Sequence, residues 1–104
     1  TADDRPMRNY SVLLHGYNLW LELEGKVKHV GFYVTRFVVA SSALEAERRA
    51  LEAIESEPHM RAARNRREDP PFIDVSESVA VARTDVPEVA PGYALYLVEE
   101  SEVA

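Results

Sequence analysis

A histidine, a glycine and an asparagine lie side by side at His15-Gly16-Tyr17-Asn18, and Trp20 follows. Glycine inside an extended segment is typical of a bulge or bend, which can aim neighbouring polar side chains into a cleft. An imidazole there could transfer protons or hold a metal, but carboxylates from distant parts of the chain would have to join it. The plainer alternative is a hydrogen-bonded surface histidine. His15 and Asn18 are therefore candidate ligand-binding residues with no assigned reaction.

Two charged residues interrupt apolar patterns. Arg36 lies on an otherwise hydrophobic strand face, and Glu47 projects from the middle of the apolar arc of a helix. A buried charge without a partner costs several kcal/mol, so each residue needs a counter-ion or water. An ion pair between Arg36 and Glu47 would meet both needs, and a ligand site is the alternative.

Four arginines lie close together at Arg61, Arg64, Arg66 and Arg67. They could bind the phosphates of RNA or an acidic partner. Alternatively they are solvated and balance the protein's own acidic part, because residues 68–104 carry nine Asp and Glu against one Arg. We favour the second interpretation, and nucleic acid remains a weaker candidate partner.

No sequence motif assigns a reaction. The three histidines lack the spacing of a metal-binding pair, and neither a hydrolase elbow nor a phosphate-binding loop occurs. Cysteine is absent, which excludes disulfides, thiolate zinc sites and cysteine nucleophiles. We therefore predict no catalytic residues, no metal and no cofactor, and we do not favour an enzyme.

The elements that position these residues begin with a long hairpin. Residues 9–23 alternate apolar and polar positions around a bend at Gly16, and Glu24-Gly25-Lys26 predicts a tight turn. Residues 30–39 are rich in β-branched and aromatic residues on both faces, which predicts an inner strand covered on both sides.

A helix follows this strand. Ser42 and Glu45 have the spacing of a capping box, and Pro58 makes continuation past Glu57 unfavourable. The predicted apolar arc of the helix comprises Ala43, Leu44, Ala46, Ala50, Leu51, Ala53 and Ile54.

The rest of the chain predicts two more strands. Residues 59–67 are a short helix or an ordered loop, residues 72–83 a third strand, residues 84–92 a loop, and residues 93–98 a final strand. In the third strand Ile73, Val75, Val79 and Val81 share one face in simple alternation. Residues 1–8 and 99–104 are polar or acidic and are expected to be flexible.

The predicted fold is therefore α+β in one domain of 104 residues: a curved antiparallel sheet of four or five strands, in the order β-β-α-β-β, against one main helix. One helix covers one face of such a sheet, yet apolar residues occupy both faces. The second face is covered either by curling into a small barrel or by a second copy of the chain. We favour a two-fold homodimer. No apolar run is long enough for a membrane span, and we expect a cytoplasmic location.

The first half of the chain resembles a small uncharacterised bacterial α+β family, through a GFY-x-TRFV strand followed by an A-x-S-x-x-E-A-E helix start. The residues that carry this resemblance are Gly31, Phe32, Tyr33, Thr35, Arg36, Phe37, Val38, Ala40, Ser42, Glu45, Ala46 and Glu47. The resemblance implies no established activity. A more distant similarity is to the Sm-like fold, which implies a bent barrel and RNA binding.

These patterns favour a non-catalytic binding or interaction module that acts as a homodimer. The alternative is an RNA-binding module of variant Sm-like type that uses the four arginines. The third hypothesis is an enzyme with a site near His15, Arg36 and Glu47.

Overall fold

The computed structural model describes residues 6–98 of the chain. In chain order it contains β1 (Arg8–Leu23), β2 (Lys26–Ala40), α1 (Ala43–Glu55), α2 (Pro58–Arg61), β3 (Phe72–Val81), a 3-10 turn (Arg83–Asp85) and β4 (Ala94–Leu97). Residues 59–67, for which the sequence predicted either a short helix or an ordered loop, contain most of the short α2 and part of the loop that follows it.

The long β1–β2 hairpin is the centre of the fold. Its two-residue turn has positive φ at both Glu24 (52°) and Gly25 (83°), the backbone that joins strands with their natural twist. The strands pair antiparallel from Leu23↔Lys26 to Arg8↔Ala40. The predicted hairpin is confirmed, and Arg8, expected in a flexible terminus, belongs to β1.

The four strands form an open antiparallel sheet in the order β3-β1-β2-β4. The α+β class, the four-stranded antiparallel sheet and the single main helix are as expected, and β2 is an inner strand. Closure into a small barrel does not occur within residues 6–98, because β3 and β4 lie at opposite edges and do not pair. The chain crosses one face of the sheet through α1 and α2 and adds β3 beside β1. It then adds β4 beside β2, at the opposite edge.

One face of the sheet is buried beneath the helices. On α1 the buried side chains are Ala46, Ala50 and Ile54, and the two alanines let the helix approach the strands closely. The sheet contributes Tyr10, Val12, Leu14, Leu19, Leu21, Val30, Phe32, Val34 and Ala40 to the same core. The predicted apolar arc of the helix was too broad, because Leu44 is 77% exposed.

The helix begins as its sequence predicts and ends within the predicted limit. The Ser42 side chain accepts a hydrogen bond from the Glu45 N–H (3.1 Å), and the Glu45 carboxylate accepts from the Ser41 N–H (2.7 Å). The first contact satisfies an N–H group that the first helical turn leaves without a partner, and the second fixes the residue before the N-cap. The helix ends at Glu55, with Ser56 as its C-cap, and so does not continue past Glu57.

Two register shifts change which side chains share a face. The β1–β2 register shifts between Gly16 and Leu19, where the extra residues form a bulge next to the predicted bend. The β1–β3 register shifts between Leu13 and Leu14. The second shift reverses the alternation of β3 after Val75, so Val79 and Val81 lie opposite Ile73 and Val75. The prediction of one shared face was wrong for this reason.

The boundaries of the last elements are shorter than predicted. Strand β3 ends at Val81 rather than at residue 83, and β4 spans Ala94–Leu97 rather than residues 93–98. The loop expected over residues 84–92 includes the end of the 3-10 turn. The expected flexibility of residues 1–5 and 99–104 falls outside the described residues.

We expect Gly16→Ala to destabilise the protein. A Cβ at Gly16 would lie 2.2 Å from Cε2 of the Phe32 ring, which is buried beneath the helices, so the core would have to shift. Overpacking of this kind costs about 1–3 kcal/mol of unfolding free energy. Urea denaturation would measure it. Gly92→Ala is the matched control, because a Cβ there meets no atom within 4 Å. Equal stability of the two variants would contradict the packing argument.

Candidate functional site

The side of the sheet opposite α1 has no element of residues 6–98 packed over it, and we call it the open face. The register and the alternation of the strands give its members. They are Asn9, Ser11, Leu13, His15, Tyr17, Trp20 and Glu22 of β1, Val27, His29, Gly31, Tyr33, Thr35, Phe37 and Val39 of β2, Phe72, Asp74, Glu77, Val79 and Val81 of β3, and Ala94 and Tyr96 of β4. The expectation that β2 is covered on both sides is therefore not met within this part of the chain.

Five rings form a continuous row across all four strands of the open face, and we call them the aromatic row. Phe72 stacks on Tyr17 (5.4 Å between ring centroids), and Tyr17 contacts His15 (5.3 Å). His15 in turn stacks on Tyr33 (4.4 Å, with 8° between the ring planes), and Tyr33 lies 6.1 Å from Tyr96. The row runs across the strands because these residues lie at neighbouring register positions.

Two hydrogen bonds hold three of these rings in place. The Tyr96 hydroxyl lies 2.6 Å from Nε2 of His15, and the Tyr17 hydroxyl donates to Oδ2 of Asp74 (3.0 Å). The hydrogen bond to the Asp74 carboxylate raises the pKa of Tyr17, because it stabilises the protonated phenol. Both bonds orient rings on the sheet surface.

A glycine on β2 makes the row possible. Gly31 pairs with Tyr96, and a Cβ at Gly31 would lie 2.3 Å from Cζ of the Tyr96 ring. Sequence reasoning recognised neither this contact nor the aromatic row. The available signal was a glycine inside a strand, which often marks the close approach of another group.

The open face is apolar with acidic charges at one edge. Its large side chains are well exposed: Phe72 is 50% exposed, Val39 47%, Val79 45%, Tyr33 43% and Tyr96 38%. The charged residues among its members are Asp74 and Glu77 on β3, and Glu22 on β1, which is paired with Arg64. No lysine or arginine is a member of this face. The surface can therefore bury aromatic area against a partner.

Asn18 stabilises the β1 bulge through its backbone conformation and its side-chain hydrogen bonds. It has φ 62°, a conformation that asparagine tolerates better than most residues. Its side-chain amide donates to Oδ1 of Asp69 (2.9 Å) and to the carbonyl of Pro70 (3.0 Å), and its Oδ1 lies 3.0 Å from Nε2 of His29. These contacts join the bulge to the loop before β3. Asn18 thus has a structural role that accounts for its polar atoms.

Arg36 pairs with Glu57 rather than with Glu47, so the predicted ion pair was wrong. The guanidinium donates twice to the Glu57 carboxylate (both 2.9 Å) and also to the carbonyls of Thr35 (2.9 Å) and Pro91 (2.7 Å). Glu47 instead accepts from the Ser78 hydroxyl (2.6 Å). The reason is geometric, because Glu47 faces β3, whereas Arg36 faces the segment after α1.

Tyr93 completes the cluster around Arg36. Its hydroxyl donates to Glu57, its ring lies 5.4 Å from the guanidinium carbon, and its edge meets the Phe32 ring (5.0 Å). The hydrogen bonds from Arg36 lower the pKa of Glu57, and the hydrogen bond to Glu57 raises the pKa of Arg36. Burial, together with the bond to Glu57, raises the pKa of Tyr93. The cluster is a hydrogen-bonded clamp between the sheet and the last loop.

The four candidate ligand residues do not form one site. His15 lies on the open face, and Arg36 and Glu47 lie on the covered face, where each has its own partner. Asn18 is engaged at the bulge. The sheet separates the imidazole from both charged groups, so no cleft in residues 6–98 holds all four side chains.

The arginine segment lies beside acidic side chains. Arg64 donates to Oε1 of Glu22 (2.7 Å), and its N–H donates to the carbonyl of Trp20 (2.7 Å). A groove of about 470 Å³ beside it is lined by Trp20, Val27, Arg64, Arg66, Glu68 and Asp69. Arg61 ends α2, and Arg67 is exposed in the following loop. The mixed charge of this groove matches the interpretation of the arginines as balancing the protein's own carboxylates.

Another concave surface of residues 6–98 lies along α1. A concavity of about 680 Å³ is lined by Ser41, Ser42 and residues of α1 itself, so it is the side of one helix rather than a cleft between elements. Within these residues no group of three or more His, Asp or Glu side chains could hold a metal ion. Nor is any helix in this part of the chain long and apolar enough to cross a membrane.

Comparison with protein-family models, with curated proteins and with solved structures found no match to this chain.

We expect Glu57→Gln to lower the free energy of unfolding at neutral pH by about 1.5–3 kcal/mol, the range for hydrogen bonds to charged groups. The folded-state pKa of Glu57 lies below its ordinary value of 4.5, so its contribution is present above that pH and is lost as the pH falls through the lowered pKa. The difference between wild type and variant should therefore shrink in acid. Urea denaturation at pH 7 and at acidic pH measures both values.

Glu55→Gln is the matched control for this titration, because Glu55 occupies an exposed position on α1. A difference between Glu57→Gln and wild type that stays constant with pH would argue against the clamp as the source of the stability.

Proposed function

We propose that the protein is a non-catalytic interaction module that acts as a homodimer through its open face. The observation that carries the proposal is the aromatic row, which crosses all four strands with three rings between 38% and 50% exposed. The proposal includes the cytoplasmic location expected from a cysteine-free sequence without an apolar span.

The energetic argument rests on the area of the rings. An aromatic side chain buries about 150–250 Å² when fully covered, so covering a half-exposed ring removes on the order of 100 Å² from water. At about 25 cal/mol per Å², each such ring contributes roughly 2 kcal/mol before the costs of association. Several rings and valines on one face therefore supply enough driving force for a specific partner. Exposed apolar patches of this kind commonly mark interaction sites.

The partner is expected to dock on the face rather than add a strand to the β2 edge. Beyond its pairing with β4, β2 presents outward carbonyls at Thr35 and Val39. The first accepts from the Arg36 guanidinium (2.9 Å) and the second from that of Arg49 (2.8 Å). Charged side chains along an edge discourage strand addition. On the other edge, the bulge in β3 has the same effect.

A second copy of the chain is the occupant that we propose. In a two-fold dimer the same surface patch of both copies meets at the interface, so an apolar patch on one copy is covered by the identical apolar patch of the other. The aromatic row extends from one edge of the sheet to the other and can therefore meet its own copy along its full length.

RNA binding of Sm-like type is the alternative proposal, and fewer observations support it. Stacking of bases on exposed rings is common in single-stranded RNA recognition, and the row offers such rings. However, the charged members of the open face are acidic, and Arg64 is already paired with Glu22. An oligonucleotide shift at low salt that disappears at high salt would support this alternative.

An enzyme with a site near His15, Arg36 and Glu47 is the third proposal and has the weakest basis. It requires these groups to act in one cleft, whereas His15 and Glu47 occupy opposite faces of the sheet. A catalysed reaction would have to use the hydrogen-bonded His15 and Tyr96 pair alone.

We expect Thr35→Lys to dissociate the homodimer. Thr35 is half-buried at the middle of the open face, paired with Leu13, so the ammonium groups of both copies would lie close together in a desolvated interface. Such like charges cost several kcal/mol, which corresponds to at least a hundredfold weaker dimerisation. Sedimentation equilibrium at several protein concentrations measures the constant.

Leu44→Lys is the control for added charge, because Leu44 is 77% exposed on α1, away from the open face. It should leave the dimer constant unchanged. A wild-type protein that sediments as a monomer at every concentration would refute the homodimer, and equal effects of both lysines would refute the role of the open face.

A further inference from the structure

We infer that the two copies meet about a two-fold axis that runs parallel to their strands, so that β3 of each copy lies over β4 of the other. This inference rests on the proposed homodimer and specifies which residues meet in it. It follows from the direction of the aromatic row and from the position of the acidic side chains.

Two simple arrangements superpose the open face on its own copy. The aromatic row runs across the strands, so a two-fold axis lying between the sheets can be parallel to the strands or perpendicular to them. A perpendicular axis places β3 over β3 and β4 over β4. A parallel axis reverses the row and exchanges its ends. Both arrangements keep the rings in contact, so the aromatic rings alone do not choose between them.

The acidic side chains favour the parallel axis. Asp74 and Glu77 both lie on β3, and β4 contributes Ala94 and Tyr96 to the open face. A perpendicular axis stacks the two acidic strands on each other, and like charges in a desolvated interface cost several kcal/mol. The parallel axis places each acidic strand over the uncharged β4 of the partner and so separates the four carboxylates.

The register gives the expected contacts. His15 pairs with Asp74 on one side and with Tyr33 on the other, and Tyr33 pairs with Ala94. Asp74 and Ala94 are therefore at the same level along the strands, and a parallel axis brings Asp74 of one copy over Ala94 of the other.

One step further along the strands, Tyr17 pairs with Phe72 and Gly31 pairs with Tyr96. The same axis brings the Phe72 ring of each copy onto the Tyr96 ring of the other. Phe72 and Tyr96 are the two outermost rings of the row, and both are well exposed in the single chain. The parallel axis therefore covers both ends of the row.

This arrangement agrees with the way sheets pack. Sheets that pack face to face lie about 10 Å apart with their strands within about 30° of each other. A two-fold axis parallel to the strands leaves the strands of the two copies nearly aligned. The small side chain of Ala94 on the edge strand β4 leaves room for the Asp74 side chain of the partner.

Cross-linking through introduced cysteines tests the axis, because the wild-type chain contains no cysteine. Asp74→Cys and Ala94→Cys proteins, distinguished in mass by a tag on one of them, are mixed and treated with a short bis-maleimide. We expect a cross-linked product that contains one chain of each kind. Each protein alone should give little product, because under this axis the two copies of either cysteine lie about 14 Å apart across the sheet.

Ser11→Cys provides a second measurement without changing an acidic residue. Ser11 lies on β1, next to the proposed axis and four residues from His15. A parallel axis keeps its two copies adjacent, so this protein should cross-link with itself. A perpendicular axis through the aromatic row would separate the two copies by about 27 Å along the strands. Leu44→Cys on the outside of α1 is the negative control.

The outcomes separate the inference from the proposed function. A dimeric protein in which Asp74→Cys cross-links only with itself overturns the parallel axis and leaves the homodimer standing. A dimer with no cross-link at residue 11, 74 or 94 overturns the open face as the interface. A monomer by light scattering overturns the proposed function itself.

Discussion

The packing of α1 and the segment after it against one face of the β1–β2 hairpin is the constraint on which the rest of the structure depends. It buries Ala46, Ala50 and Ile54 against the strands and fixes the hairpin as a single covered layer. Because α1 follows β2 directly, it covers the side on which the chain leaves the sheet. The other side receives no element from residues 6–98. The open face is thus a direct consequence of the connection between β2 and α1.

Polar contacts at the rim of this core hold the loops that the helix does not reach. The clamp of Arg36, Glu57 and Tyr93 joins the inner strand β2 to the end of the helical segment and to the loop before β4. Asn18 and Asn65 join the β1 bulge to the loop before β3. Arg36 and Glu57 therefore have structural partners on the covered side, whereas the open face carries the exposed aromatic area. The open face is the better candidate for a binding surface, because no element of residues 6–98 covers its exposed rings.

Much of the fold was predictable from local patterns. Alternation of apolar residues predicted the hairpin and the faces of β1 and β2, and the Ser42 cap predicted the start of α1. These features depend on residues close in sequence, whose spacing reflects strand and helix periods. The face of Val79 and Val81 was wrong, because a bulge between strands reverses alternation without a clear local signal.

The candidate site was predictable only in part. The sequence by itself determined the elements, the excess of apolar residues over what one helix can cover, and His15 as a residue beside a bend. The tertiary structure decided that His15 joins a row of rings from four strands and that Arg36 pairs with Glu57 rather than Glu47. The physical reason is that strand period and helix capping are set by neighbours a few residues apart. Pairing across a sheet depends on register, which joins residues as far apart as positions 15 and 96.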